Sequence, residues 1–408
     1  MKPTSVPTQK HIFGRRAFDI AHHLATVVGP RPAASEGESQ GLAYAEQLFV
    51  AAGAQVSHFP VDNIPPPRSH RWIKLTFLAI LLVVTYVFHK APVAALLYLP
   101  LILFFPRLLR ALRKGKTVPS GQNSYNLIAE HAPQDEEAAG VLIIGAHIDT
   151  AGSRRVPGSL LPRLQRLAAP ITLPLAFGLA LLSVAKVLTD WLAPLPPQVW
   201  LVVRWAGFGM AALLALLEMA YLLLAREQVF SPGANDNGSS VGVILAAAEH
   251  FANSERLPRR LALRYALWTG EERGLIGSAR YAKEADLEPD RTWVLNLDMV
   301  GTGKSLSYVR RAGFLPSRPT SPLLNGLLQR ALPSIQEVNY FMRSSDFKPF
   351  LDRAFPAASL TGKGGRRNWY YHTSEDTSEH LQTELLGDAA LAVIGLAAKL
   401  DQSLVESN

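Results

Sequence analysis

The chain contains 408 residues, enough for one large domain with insertions or for about two to three domains. Hydrophobic residues make up 48% and charged residues only 18%, a composition that excludes a disordered or fibrous chain and indicates apolar segments beyond an ordinary core. The net charge is +8 and cysteine is absent, which excludes a disulfide framework, a thiolate metal site and a cysteine nucleophile, so any metal must be bound by His, Asp or Glu.

The N-terminal region carries basic residues but no apolar core over residues 1–18, so we expect no secretory signal peptide. Ser35 and Glu38 have the spacing of a capping box, in which a serine side chain caps the first helical turn and a glutamate reaches back to it. They predict a helix that begins at Ser35 and ends at Gly53. The alternation of apolar and polar residues over 54–61 predicts a strand.

Two long apolar segments interrupt the chain. Residues 72–106 are apolar apart from a few breaks, and residues 167–225 are apolar on both sides of a proline-rich turn at 190–197. They predict two transmembrane helical hairpins and so about four spans, since one span needs about 20 apolar residues. The arms of the first hairpin are short for a span, and re-entrant packing, interfacial helices or buried core helices are the alternatives.

Basic residues lie mostly at one end of both hairpins, and the far ends offer only Lys90, Lys186 and Arg204. Because basic residues beside a span stay in the cytoplasm, we expect a polytopic protein that contacts the lipid bilayer and carries its catalytic part on the cytoplasmic side. The same clustering, away from aromatic residues that could stack on bases, predicts that no nucleic acid is bound. The basic residues at the near end are Arg68, Arg71, Lys74, Arg107, Arg110, Arg113, Lys114, Lys116, Arg154, Arg155, Arg163, Arg166 and Arg226.

The rest of the chain alternates between strand and helix patterns. We therefore predict an α/β fold with a mixed, mainly parallel sheet and helices on both faces. This catalytic domain is discontinuous, with residues 1–70, 116–156 and 229–408 separated by the two hairpins. The predicted strands are 123–131, 141–146, 261–269 and 293–300, and the predicted helices are 241–251, 275–283, 321–332 and 381–400.

Five polar clusters lie at the ends of strands or loops, and the first is His147-Ile148-Asp149, directly after a buried strand. That strand delivers both side chains to the carboxyl edge of the sheet, where α/β proteins build their sites. Residues two apart in an extended segment share a face, so Asp149 is expected to accept the second imidazole N–H and orient His147 as a metal ligand. A surface His–Asp pair is the alternative.

The next two clusters are rich in acids. Asp236 lies in a Gly- and Asn-rich loop over 233–240, which is either an ordinary turn and helix cap or the position of a carboxylate that bridges two metals. Glu271 and Glu272 follow the strand 261–269 and open a helix. Adjacent acids suit a helix dipole, but they can also divide the tasks of metal ligand and general base.

Asp298 is a lone acid in an apolar strand, and a buried acid needs a partner or a metal. His372, in the segment 369–377, would be structural if it stood alone. Together the five clusters supply a complete set of nitrogen and oxygen ligands for two divalent ions, which lie about 3.5–4 Å apart in two-metal hydrolases.

The order and local sequence of these clusters resemble the family-28 metallopeptidases, co-catalytic di-zinc exopeptidases that include bacterial leucyl aminopeptidases. The resemblance covers roughly residues 16–66, 117–154 and 230–402. It rests on His147-Ile148-Asp149, Asp236-Asn237-Gly238-Ser239, Glu271-Glu272, Asp298 and Tyr371-His372-Thr373, in that order.

The resemblance implies a zinc-exopeptidase fold and two Zn²⁺ ions. Asp149 would orient a ligand, Glu271 would deprotonate the water between the metals and pass the proton to the leaving amine, and Tyr371 would stabilise the oxyanion, with a packed aromatic as its alternative. One zinc would be bound by His147, Asp236 and Asp298, and the other by Asp236, Glu272 and His372.

Two departures from the family pattern matter. The segment 346–350 has Phe347 where many relatives carry a histidine, which bears on the specificity pocket, and the two apolar hairpins interrupt the domain. We predict a membrane-bound zinc aminopeptidase that hydrolyses the N-terminal bond of peptides with a free amino terminus. The alternatives are a glutaminyl-cyclase-like acyltransferase, which is a one-zinc relative, and a non-catalytic membrane scaffold.

Overall fold

The structure is a computed structural model that describes residues 8–65, 121–135, 137–155, 196–224, 227–313, 317–340, 344–363 and 370–406, with single residues at 178, 181, 185, 188 and 192. The chain divides into two compact units. The first consists of Met1–Pro67, Val118–Ser153 and Val229–Asn408, and the second of Arg68–Thr117 and Arg154–Gln228.

A nine-stranded sheet forms the centre of the first unit, in the order β1-β2-β6-β3-β7-β11-β8-β10, with β9 paired to β8. The four central strands, β6, β3, β7 and β11, run parallel. On one side β2 pairs antiparallel with both β6 and β1, and on the other β8 pairs antiparallel with β11 and β9 and parallel with β10. The sheet is therefore mixed and is parallel mainly in its centre. Its strands are β1 (Gln55–Ile64), β2 (Gln122–His131), β3 (Gly140–His147), β6 (Leu261–Trp268), β7 (Thr292–Leu297), β8 (Ser305–Ala312), β9 (Arg318–Pro319), β10 (Gln336–Tyr340) and β11 (Ala357–Lys363), and a separate two-stranded sheet joins β4 (Gly152–Arg155) and β5 (Glu227–Phe230).

Helices cover both faces of the sheet, as the sequence predicts. Alternate residues of β3 point to opposite faces: Leu142 and Ile144 belong to one hydrophobic core and Ile143 to the other. The larger core packs against α1, α2, α4, α6 and α8, and the smaller one against α5 and α7. The helices are α1 (Gln9–His23), α2 (Glu36–Ala51), α3 (Pro197–Leu224), α4 (Ser239–His250), α5 (Ile276–Glu284), α6 (Pro322–Ala331), α7 (Phe347–Leu351) and α8 (Thr383–Glu406).

The capping signal before α2 is confirmed in part. The Ser35 hydroxyl accepts the N–H of Glu38 at 3.2 Å, and the helix ends at Ala51, two residues before Gly53. Glu38, however, accepts the N–H of Ala34 at 2.7 Å instead of that of Ser35, because its carboxylate also binds the hydroxyls of Ser124 and Thr269.

The two predicted hairpins fall largely outside the described residues. Residues 72–106 lie wholly outside them, and within 167–225 the structure describes mainly α3. Among the helices of the described ranges, none is both long and apolar enough to cross a bilayer.

Candidate active site

Three of the predicted site segments follow neighbouring parallel strands. His147 is the last residue of β3, Glu271 and Glu272 follow β6 after two residues, and Asp298 directly follows β7. Since β3 lies between β6 and β7, the carboxyl ends of these strands bring the four side chains to one edge of the sheet. The prediction that Asp298 lies inside a strand is wrong by one residue, because β7 ends at Leu297.

Asp236 and His372 reach this edge from loops outside the sheet. Asp236 precedes α4, and His372 lies in the turn before α8 with a φ of 56°. The carboxylate of Asp236 lies between two imidazoles: its Oδ1 is 3.3 Å from Nε2 of His147, and its Oδ2 is 3.2 Å from Nε2 of His372. The same His372 nitrogen is 3.0 Å from Oε1 of Glu272.

The predicted ligands thus form two groups that share Asp236. Within each group the possible ligand atoms lie within 4.8 Å of one another. The members are His147, Asp236 and Asp298 in the first group, and Asp236, Glu272 and His372 in the second.

These residues fit two divalent ions. Oδ2 of Asp236 and Oε1 of Glu272 are buried, and among the described residues no donor, including the His372 nitrogen close to both, makes a well-aligned hydrogen bond to either. A buried carboxylate oxygen without such a partner is costly unless a cation binds it. Two imidazoles and three carboxylates are the ligand types that zinc and similar borderline ions prefer.

Burial and mutual charge shift the pKa values of the ligands strongly. Burial raises the pKa of Asp298 to about 6, with the charge of Asp236 adding to the shift. Burial opposes the charged form of His372, but Asp236 and Glu272 outweigh it and raise the pKa of this ring to about 10. The cluster therefore holds protons at positions where a bound dication would displace them.

Asp149 has a different partner from the one predicted. Nδ1 of His147 lies 2.9 Å from the main-chain oxygen of Asp149 and 3.7 Å from its carboxylate. The strand ends at His147, so the two side chains do not share a face beyond it. The Asp149 carboxylate instead accepts the N–H groups of Glu271 at 3.0 Å and of Glu272 at 3.1 Å.

Glu271 and Glu272 lie in a turn and do not open a helix as predicted, since α5 begins only at Ile276. Gly270 starts this turn with a φ of 69°, which an L side chain rarely adopts. Burial raises the pKa of Glu271 well above its usual range, and the charges of Asp346, Glu272 and Asp298 outnumber the opposing charge of His147.

Sequence reasoning missed two residues that hold the Asp236 loop. The carboxylate of Asp376 accepts the N–H groups of Asn235 at 2.9 Å and of Asp236 at 3.0 Å. The side chain of Asn237 donates to the main-chain oxygen of Leu297 and accepts the N–H of Met299, both at 3.0 Å, and so brackets Asp298. Both residues stand inside the polar clusters of the sequence, but their partners are distant in the chain.

Two further predicted positions differ in environment. The ring of Tyr371 stacks on His372, with 3.7 Å between ring centroids, and 44% of the residue is exposed. Burial of its hydroxyl and the surrounding carboxylates raise the pKa of Tyr371, so it remains a phenol. Phe347, by contrast, is fully buried in the smaller core beside Phe350 and packs there instead of presenting a polar group.

Comparison with known proteins identifies relatives for the sequence. The sequence model of peptidase family M28 matches residues 220–397, which confirms the resemblance carried by the motifs. The chain is 29% identical over 200 residues to aminopeptidase YwaD of Bacillus subtilis, a match that covers 45% of this chain and 42% of YwaD. It is 40% identical over 73 residues to the probable lipoprotein aminopeptidase LpqL of Mycobacterium tuberculosis, covering 17% of this chain and 14% of LpqL. The matched region thus spans less than half the length of these relatives.

Solved structures share the fold. A zinc aminopeptidase from Bacillus subtilis superposes with a TM-score of 0.55 at 15% identity, over 95% of each chain. Glutaminyl cyclase from Porphyromonas gingivalis superposes with a TM-score of 0.53 at 13% identity, over 95% of this chain and 98% of the cyclase. At such identities the similarity establishes the zinc-exopeptidase type of α/β fold.

Proposed function

Because residues 220–397 match the model of peptidase family M28, we propose that the chain is a zinc-dependent aminopeptidase of this family, which hydrolyses the first bond of peptides with a free amino terminus. The observation that carries the proposal is the carboxylate of Asp236, which lies 3.3 Å from His147 and 3.2 Å from His372 and belongs to both ligand groups. A carboxylate shared in this way suits a pair of metal ions.

The ligands divide between two zinc positions in this proposal. Zinc ions bound there would polarise the scissile carbonyl and lower the pKa of the attacking water. The first position is formed by His147, Asp236 and Asp298, and the second by Asp236, Glu272 and His372.

Glu271 is the general base. Its pKa is raised well above the usual range by burial, which suits a carboxylate that takes a proton from water and returns it to the leaving amine. Asp149 holds Glu271 in place by accepting its main-chain N–H at 3.0 Å. Asp149 is therefore a positioning residue in this reaction.

Tyr371 stabilises the oxyanion that develops at the reacting carbonyl. Its raised pKa keeps the hydroxyl protonated near neutral pH, so the hydroxyl can donate a hydrogen bond to the developing oxyanion. The side chain is partly exposed beside His372, where a substrate can reach it.

The experiment that tests this function compares matched peptides with free and acetylated amino termini. We expect the purified protein to contain two zinc ions and to release the first residue of the free peptides, with the acetylated peptides cleaved roughly 10⁴-fold more slowly, because a site built for an amine rejects its blocked form. Chelation of the zinc should abolish hydrolysis, and added zinc should restore it. Equal cleavage of both peptides would refute an aminopeptidase.

The same assay separates the alternatives. Loss of ammonia from a peptide with an amino-terminal glutamine, with one zinc bound, would identify a glutaminyl-cyclase-like enzyme. Two zinc ions without turnover of any peptide would favour a scaffold. The two ligand groups support the hydrolytic reading over the one-zinc cyclase.

We propose separately that the apolar segments 72–106 and 167–225 attach the enzyme to a membrane with its active site on the cytoplasmic side. The proposal rests on their composition and on the basic residues at one end of both segments. It is independent of the peptidase activity, which the first unit carries.

Membrane attachment is tested by extraction and labelling. We expect the protein to stay in the membrane pellet after an alkaline carbonate wash, and its release into the wash would refute the proposal. Because the chain contains no cysteine, single cysteines give clean labelling. An impermeant maleimide applied to intact cells should label Pro194→Cys and leave Glu255→Cys, at an exposed position of the first unit, unlabelled. The reverse pattern would invert the topology.

A further inference from the structure

Arg31 is a fully buried arginine that the proposed reaction does not use. Among the described residues its guanidinium donates only to main-chain oxygens, and none of these acceptors is a carboxylate. The acceptors are Ile148 at 3.1 Å, Leu24 and Gly29 at 2.7 Å each, Pro232 at 2.9 Å and Gly233 at 3.0 Å.

Three of these acceptors belong to two loops of the active site. Ile148 lies between His147 and Asp149, at the end of β3, whereas Pro232 and Gly233 precede Asp236 in the loop outside the sheet. One guanidinium therefore bonds to both loops at once. The main chain of Arg31 adds to this junction, since its N–H donates to the Thr150 hydroxyl and its oxygen accepts the Thr150 N–H, both at 2.9 Å.

The two loops are also in close contact at this point. A Cβ atom added to Gly233 would lie 2.3 Å from Cγ2 of Thr150 and 3.0 Å from the Arg31 guanidinium. One main-chain hydrogen bond, from Ser231 to Ala151 at 3.0 Å, runs directly between the loops. The paired strands β4 and β5, which adjoin the two loops, also join them, and Arg31 adds its bonds to Ile148, Pro232 and Gly233.

The position of this junction matters because the metal ligands are of two kinds. His147, Glu272 and Asp298 lie at or just after the ends of strands, so the sheet fixes them relative to one another, but Asp236 and His372 lie outside the sheet. Asp376 joins the loops of Asp236 and His372 to each other. This outer pair is then held against the sheet on two sides, by Asn237 at the Asp298 end and by Arg31 at the His147 end.

The choice of arginine follows from this geometry. Five N–H groups in a planar fork can reach several carbonyls at once, whereas a lysine offers three donors at one point. Burial lowers the pKa of Arg31 to about 10, opposed by the charges of Asp376, Asp149 and Asp236, so the side chain stays charged near neutral pH. Its charge also offsets the surplus of carboxylates around the site.

We propose that Arg31 is a positioning residue that fixes the distance between His147 and Asp236, and so sets the zinc affinity of the position that they share with Asp298. The inference rests on the two-zinc site of the proposed function. It adds a residue outside the ligand set, from the segment before α2, to the parts that determine whether the metal binds.

The test compares Arg31→Met and Arg31→Lys with Arg264→Met, by titrating zinc into the metal-free full-length protein against a competing chelator. Arg264 is a partly buried arginine that bonds to Glu130 and Tyr281, so its loss controls for general destabilisation. We expect both Arg31 variants to bind zinc roughly 10–100-fold more weakly, as is usual when a group behind a metal ligand is removed. Arg264→Met should bind zinc like the wild type.

Rescue gives a readout that a merely structural defect would not produce. Millimolar guanidinium ion should restore part of the zinc affinity of Arg31→Met by filling the vacated space, and should leave Arg264→Met unchanged. Zinc affinity equal to the wild type in Arg31→Met, or an equal loss in Arg31→Met and Arg264→Met, would overturn the proposal.

If Arg31→Met does not fold, Gly233→Ala tests the same junction while Arg31 remains. The added methyl group would lie too close both to Thr150 and, at 2.6 Å, to the main-chain oxygen of Asp236, so the junction must shift. Zinc affinity should therefore fall here as well, and unchanged affinity would overturn the proposal. The proposed function is judged separately, by the zinc content and peptide hydrolysis of the wild type. Arg31 is judged only by the difference between wild type and variants.

Discussion

Replacing Glu271 with glutamine is expected to lower the turnover of peptides by roughly 10²–10⁴-fold while the protein still binds two zinc ions. The amide has nearly the same shape and keeps the main-chain N–H that Asp149 accepts, so the turn should not change. The amide, however, cannot take up a proton from water as a carboxylate does. Turnover and zinc content, measured on the same preparation, check this prediction.

The neighbouring residue provides a matched control. Glu272→Gln makes the same chemical change one residue later, in the same turn, and its N–H also bonds to Asp149. Because Oε1 of Glu272 lies 3.0 Å from Nε2 of His372 in the second ligand group, this variant should lose one zinc, and excess zinc should restore part of its activity. Near-normal turnover of Glu271→Gln, or equal loss of zinc from both variants, would contradict the division of roles.

Local patterns in the sequence are enough to predict where several of the metal ligands lie. Runs of apolar residues identify β3, β6 and β7 within a few residues, and parallel strands bring the segments that follow them to one edge. His147, Glu272 and Asp298 can therefore be placed together from the amino-acid sequence alone. Asp236 and His372 can be added only because their surrounding motifs resemble a known family.

The contacts that hold the site could not be predicted in the same way. Arg31 bonds to main-chain oxygens more than a hundred residues away. Because every residue has a main-chain oxygen, the sequence does not show which ones will accept these bonds. Asp149 shows how a local rule fails, since the rule that residues two apart share a face holds only while the strand continues. Likewise the sequence does not predict β8, β10 and β11, because strands this short lack a distinctive period.

Replacing Asp236 with asparagine is expected to weaken both zinc positions at once and to lower turnover at least as much as the loss of the general base, by roughly 10²–10⁴-fold or more. Asp236 is the ligand that both groups share, and an amide binds a dication much less well than a carboxylate does. Asp298→Asn, which alters only the first group, is the control. Native mass spectrometry should find up to one zinc in Asp298→Asn and none in Asp236→Asn.

The metal-free proteins add a second, independent measurement. In the wild type Asp236 and Glu272 raise the pKa of His372 from 6.5 to about 10, so the ion pairs stabilise the fold fully below pH 6.5 and are lost as the pH rises towards 10. Asp236→Asn removes one of these two negative charges, and this charge also lies next to His147. The metal-free variant should therefore melt at a lower temperature than the metal-free wild type near pH 6, and the difference should shrink by pH 10. Two tightly bound zinc ions in Asp236→Asn, or a melting difference that does not depend on pH, would show that this carboxylate does not link the two groups.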